Sequence, residues 1–141
     1  LASPAKPTGV LEAAVYVDDL DKAEGFYAGV VGLDVITRHD PRHVFFACGP
    51  SVVLAFNAEE TVVPPGEGKL PVPPHGAKGA GHICFSVPGA DLDGWLAHLG
   101  DEGIEVEADF HWPHGPRSIY VRDPAGNSVE FAEPKLWGLG T

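Results

Sequence analysis

Glu12, His82 and Glu130 are the residues of this chain whose types and placement could do chemistry together. Each lies in a short apolar run in which side chains alternate between two faces. In Ser128-Val129-Glu130-Phe131-Ala132, Val129 and Phe131 must cover a helix, which turns Ser128, Glu130 and Ala132 the other way. The same alternation sends Ile83, Phe85 and Val87 to the helix and His82, Cys84 and Ser86 to the open face. In Leu11 to Val17 it puts Leu11, Ala13, Val15 and Val17 on the helix side and leaves Glu12, Ala14 and Tyr16 open. A buried carboxylate costs several kcal/mol unless it is paired or binds a metal. Two carboxylates and one imidazole on equivalent open faces therefore point to one divalent cation. The alternative is three separately satisfied polar residues, with Glu12 paired, for instance, to Arg117 or Arg122.

A proton donor or acceptor must stand near such a centre. If Val44 and Phe46 cover the helix, His43 and Phe45 line the open face; if Ile119 and Val121 do so, Ser118 and Tyr120 line it. His43 and Tyr120 are thus expected to move protons, and Phe45 and Ser118 to contact substrate. His111-Trp112-Pro113-His114-Gly115-Pro116-Arg117 reads as a rigid aromatic loop at the pocket rim. There Trp112 forms a wall, His114 is a further acid or base, and Arg117 pairs with a substrate carboxylate or, in the blander reading, with a surface Asp or Glu. His39 and His75 fall in turns and His98 beside solvent-facing helix positions, so none is expected to be a ligand.

The elements that must position these groups occur twice. Leu11 to Val17 reads as a strand, followed by Asp18-Asp19 as a helix cap. Ala23, Phe26, Tyr27, Val30 and Val31 then make one helix face, and Gly32 ends it. Leu33 to Thr37, Val44 to Cys48 and Val52 to Phe56 read as three more strands. The second half repeats the order: His82 to Val87 is a strand, and Asp91 caps a helix carrying Leu92, Trp95, Leu96 and Leu99 that stops at Gly103. Ile104 to Ala108, Ser118 to Arg122 and Ser128 to Phe131 follow as strands, the last two joined by an Asp123-Pro124-Ala125-Gly126 turn. The offset from Glu12 to His82 and from Val17 to Val87 is 70, and from Gly32 to Gly103 and Val35 to Val106 it is 71, so the register survives strand, helix and stop. The organisation predicted is a tail over 1–9, a β-α-β-β-β module over 10–57, a Pro/Gly-rich linker over 58–79, a second module over 80–133 and a C-terminal tail over 134–141. The whole is one α+β domain in which the bare sheet faces of the two modules, or of modules from two chains, must pair.

Nine Lys plus Arg against 20 Asp plus Glu give a net charge of −11, which argues against nucleic acid and anionic membrane surfaces as partners. No apolar run is long enough to cross a bilayer, and Leu1 to Gly9 lacks the apolar centre of a signal peptide. Cys48 and Cys84 sit in apolar runs and read as buried free thiols. A cytoplasmic protein is expected. The absence of Met and the start at Leu1 suggest a start that is trimmed or missing.

The motifs V-Y-V-D-D-L-D-K-A-E-G-F-Y with G-L-D-V, then G-H-I-C-F-S-V, then Y-V-R-D-P-A-G-N-S-V-E-F resemble the vicinal oxygen chelate superfamily over residues 10 to 133. That superfamily holds glyoxalases, extradiol dioxygenases, epimerases, and fosfomycin- and bleomycin-resistance proteins. The resemblance implies a cupped, incompletely closed eight-stranded mixed sheet around one divalent metal, with Glu12, Leu54, His82 and Glu130 at the ligand positions. The first is usually His, and Leu54 cannot ligate, so three protein ligands remain. One imidazole and two carboxylates bring a divalent ion to about zero net charge, which makes bound water less acidic than in a two-His set. The ion would be Mn, Fe, Mg, Ni, Co or Zn. The implied function is a metal-dependent lyase, isomerase or dioxygenase that binds a small substrate through vicinal oxygens and stabilises a developing oxyanion, in a homodimer. The alternative from another class is a non-catalytic, acidic antibiotic-binding protein of the bleomycin-resistance kind.

Overall fold

The computed structural model describes residues 3–140. Of the two tails expected from the sequence, residues 1, 2 and 141 lie outside the described residues. Eight strands form two mixed sheets. β1 (Glu12–Val17), β2 (Asp34–His39), β3 (His43–Cys48) and β4 (Ser51–Asn57) are arranged β1-β4-β3-β2. β5 (His82–Ser86), β6 (Ala108–His111), β7 (Arg117–Arg122) and β8 (Ser128–Ala132) repeat that order as β5-β8-β7-β6. In each sheet the first and last strands run parallel and the other pairs antiparallel. The fold is α+β. Apolar residues two apart on the strands meet apolar residues three and four apart on the helices, and together they make one core from Val15 to Phe131.

The helices show how the sequence starts and stops them. α1 (Leu20–Glu24) begins where Asp19 Oδ1 accepts from the Lys22 N–H at 3.0 Å. It widens into a π-helical turn over Gly25–Val30, where the Val31 N–H reaches the Phe26 carbonyl, and this brings Phe26, Tyr27 and Val30 into the core. Gly32 then takes φ +89°, a left-handed conformation that lets the Leu33 N–H close on the Tyr27 carbonyl. α2 (Ala58–Thr61) is a single turn capped by Asn57, and α3 (Leu92–Asp101) buries Leu92 and Leu99.

Several expectations are corrected here. Asp91 makes no side-chain cap; α3 is led in by a 3-10 turn, Gly89–Asp91, that satisfies the early N–H groups instead. The strand expected at Ile104 to Ala108 begins only at Ala108. Ile104 and Val106 do pack on the core, but from irregular backbone, and the ladder with β7 opens at Ala108 opposite Tyr120. β2 likewise runs to His39 and carries a bulge between Val35 and Thr37. Leu11 and Ala13, expected on the helix side, are exposed, and burial on that face of β1 begins at Val15. Both cysteines are free, but Cys48 is only half-buried and Cys84 is exposed, since its alternation places it on the open face.

A buried turn joins the modules on the helix side. Asp123 accepts at Oδ1 from the Ala125 and Asn127 N–H groups, and at Oδ2 from Asn127 Nδ2 and, at 2.7 Å, from the Tyr27 hydroxyl of the first module. Asn127 Nδ2 also donates to the Tyr16 carbonyl, and its Oδ1 accepts from the Gly81 N–H. Between the modules the chain lies close over the first sheet. A Cβ at Gly76 would stand 2.6 Å from Val62 Cγ1, so any larger residue there would have to push the Val62 side chain aside. His75 is held by its N–H on the Thr61 carbonyl and by Nδ1 on the Tyr16 hydroxyl at 2.7 Å.

Candidate metal centre

The parallel pairing of β5 and β8 sets His82 opposite Ser128 and Cys84 opposite Glu130, on the face away from α3. His82 Nδ1 lies 3.1 Å from the Ser128 carbonyl. A carbonyl only accepts, so Nδ1 carries a proton, and in the neutral ring Nε2 presents its lone pair. Nε2 lies 3.3 Å from Glu130 Oε1. Two acceptors facing each other at this distance need a proton or a cation between them. Glu130 is 5% exposed and has no lysine or arginine in ion-pair contact among the described residues. An imidazole oriented by a backbone carbonyl and a buried carboxylate without a fixed counter-charge form a donor pair that fits a divalent ion.

The rest of the open face is built to hold Glu130. The Trp112 indole N–H donates to Ser118 Oγ at 2.8 Å, and the Ser118 hydroxyl donates to Glu130 Oε2 at 2.7 Å. Ser118 is fully buried. Ser118 and Trp112, expected at the substrate rim, are thus committed to orienting the carboxylate. Tyr120 sits opposite Glu130 across the strand pair and stacks on His82 and on Phe110. Burial first, and then the Glu130 charge, push its phenol up to about 12, so at neutral pH it is a proton donor and not a base.

Glu12 does not join this group within one chain. It is exposed on β1, opposite Val52, and no three His, Cys, Asp or Glu side chains gather as a metal site among the described residues. Leu54, at the position equivalent to Glu130, is buried between Ala14 and Phe45. A cavity of about 460 Å³ opens between the modules, with Ala13 and Val53 on one side and Cys84 and Ser86 on the other.

The remaining candidates divide. His43 and Phe45 line the open face of the first sheet, stacked on each other with centroids 4.0 Å apart. His43 is held below its ordinary pKa by burial first and by the neighbouring charges of Arg42 and His39, so its ring is neutral. His114 is exposed, with Nε2 at 3.3 Å from the Leu136 carbonyl of the C-terminal turn, and does not meet His82 or Glu130. Arg117 takes the blander of its two expected roles, a pairing with surface acids. Strand alternation puts it on the face opposite Ser118, where its guanidinium binds Asp109 in a fork at 2.8 Å and Asp93 of α3 at 2.6 Å. Three of its five N–H groups are thereby engaged by carboxylates. Sequence reasoning passed over Arg42, which donates from Nη1 to His43 Nδ1 at 2.7 Å. The signal was available: Arg42 precedes the first residue to face the sheet opening on β3, as Arg117 does on β7.

Among solved structures the chain is similar to lactoylglutathione lyase from Agrobacterium tumefaciens, with 43% identity and a TM-score of 0.91 over 96% of this chain and 100% of that one. It shares the fold alone with a glyoxalase/bleomycin resistance protein/dioxygenase from Alicyclobacillus acidocaldarius (17% identity, TM-score 0.62, 91% and 92% covered). The same holds for an integron cassette protein from the mobile metagenome of Halifax Harbour Sewage Outfall (21% identity, TM-score 0.71, 90% and 99% covered). No curated protein matches the chain. No helix among the described residues is long and apolar enough to cross a membrane. With residues 9–131 matching its sequence profile, the chain belongs to the Glyoxalase/Bleomycin resistance protein/Dioxygenase superfamily.

Proposed function

We propose that this protein is a divalent-metal-dependent enzyme of the glyoxalase type, working as a homodimer on a small substrate with two vicinal oxygens. The observation that carries the reading is His82 Nε2 facing the buried Glu130 carboxylate at 3.3 Å. His82 and Glu130 would hold the ion, and Glu12 of the partner subunit would complete the set, since the chain's own Glu12 stands apart from them. A divalent cation there supplies Lewis-acid polarisation of the substrate oxygens. Ser118 and Trp112 keep Glu130 in one rotamer, and Phe110 and Trp112 give an aromatic wall that excludes water. Tyr120, held protonated, donates toward a substrate oxygen as negative charge develops on it. His43, stacked on Phe45, has its Nδ1 lone pair taken up by Arg42 and is therefore not assigned the role of proton acceptor. The 43% identity to a lactoylglutathione lyase names the first reaction to assay. The two free cysteines agree with a cytoplasmic place for it.

Protein purified without chelator should carry about one divalent ion per site, scatter light as a dimer, and lose both ion and turnover on chelation. Metal-free, monomeric protein that stays so when Mn, Ni or Zn is supplied would sink the proposal. The −11 charge favours a second reading, a non-catalytic binder of a cationic antibiotic, which predicts bleomycin binding with no dependence on metal.

A further inference from the structure

Arg42 is set apart by the company it keeps. This chain has 20 carboxylate side chains and four arginines. Arg38 is bound by Asp21, Glu24 and Asp40, Arg117 by Asp93 and Asp109, and Arg122 by Glu107. Arg42 alone among the four has no carboxylate partner among the described residues. Its guanidinium lies over the Phe56 ring, 5.2 Å from the centroid, and Nη1 donates to His43 Nδ1. A guanidinium cannot accept a hydrogen bond, so His43 Nδ1 accepts and its remaining proton sits on Nε2. His43 is fixed in turn by stacking on Phe45 at an interplanar angle of 10°. The row across the sheet is completed by Tyr16, opposite Phe56, and by His75, edge-on to Phe56 at 4.6 Å and bonded to the Tyr16 hydroxyl.

This cluster is rigid, half-buried and rich in donors. The free N–H groups of Arg42 and the His43 Nε2–H are its unspent donors, and aromatic rings hold both groups in place. We propose that Arg42 and His43 form an anion-binding site on the first sheet, specific for a planar carboxylate, which a guanidinium fork meets with two parallel hydrogen bonds. The site is separate from the candidate metal centre. Tyr16 marks its row and lies four residues along β1 from Glu12, about 13 Å at the usual rise of a strand. It also stands whether or not the metal reading does, because every group in it belongs to one chain and none is a nominated ligand.

The test uses metal-free protein and benzoate as the probe, followed through the imidazole resonances of His43 and His75. Saturable shifts are expected with a dissociation constant on the order of 1–10 mM. Benzamide, isosteric but uncharged, and inorganic phosphate, which is tetrahedral, should each bind at least about tenfold more weakly. Arg42→Gln should weaken benzoate about tenfold or more while keeping the wild-type melting temperature. Arg42→Lys, which keeps the charge but not the fork, should fall between the two. Glu130→Gln should bind benzoate normally, which separates this site from the metal centre. The proposal is overturned by an absence of saturable shifts, by benzamide binding as well as benzoate, by phosphate binding more tightly, or by a folded Arg42→Gln or Arg42→Lys protein that binds like wild type.

Discussion

The two modules share a backbone plan and differ in what they put on it. At three facing positions the first sheet carries Ala14, Leu54 and Phe45, and the second carries Cys84, Glu130 and Tyr120. The next row pairs Tyr16, Phe56 and His43 in the first with Ser86, Ala132 and Ser118 in the second. One open face is therefore aromatic and apolar with a cationic border, and the other is a chain of hydrogen bonds ending on a carboxylate. The arginines invert the pattern: Arg117 is locked by acids on the helix side, while Arg42 faces the ring cluster. Repetition thus supplied the frame twice, and the chemistry was distributed unequally between the copies.

The asymmetry can be broken most strongly at Glu130. Glu130→Ala should lower affinity for a divalent ion by about 100-fold or more, because losing even an outer partner of a ligand costs 10–100-fold. Titration calorimetry reads this, and unchanged affinity would mean that the second face is not the metal-binding one. Ser118→Ala removes the hydroxyl that fixes Glu130 and leaves the carboxylate itself, so affinity should drop about tenfold with the dimer intact. A drop as large as that of Glu130→Ala would show that Ser118 supports more than orientation.

The smallest effect concerns the locked arginine. Arg117 holds the Asp109 carboxyl below the usual carboxylate range, through its hydrogen bonds first, against a smaller opposing effect of burial. A carboxyl lowered in the folded state contributes stability above its unfolded pKa and loses it as pH falls through the lowered value. Asp109→Asn should therefore destabilise by up to about 1 kcal/mol at pH 7, as for a partly exposed pair. The difference from wild type should close on acidification below the carboxylate range. Thermal melts across pH check it, and a difference that widens in acid would contradict the sign.

The strands, their faces and the repeat were legible because alternation and helical spacing respond to one buried side, and Val44, Phe46, Ile119, Val121, Val129 and Phe131 obey it. Alternation also held the answer for Arg117: it stands next to Ser118, so the two must face opposite ways. Ile104 and Val106 misled because an alternating apolar pair packs as well from irregular backbone as from a strand. His82 and Glu130 were found as a pair, since both belong to one sheet. The position of Glu12 relative to them depends on how modules meet, and residue spacing carries no signal for that. Arg42 was missed because its meaning lies in the carboxylates that are not beside it.

The Tyr27–Asp123 contact bears on what the duplication has become. Each copy resembles a unit that could once have paired with a twin, yet this contact takes its hydroxyl from one copy and its carboxylate from the other. Split the chain in the linker, and the first fragment keeps a phenol without its carboxylate acceptor, while the second keeps an acid short of one of its four donors. Neither fragment can repair the loss by self-association, because each lacks what its own copies lack. Only the unlike fragment supplies it. Two pieces from a gene cut at this point regain this contact only by recombining with each other.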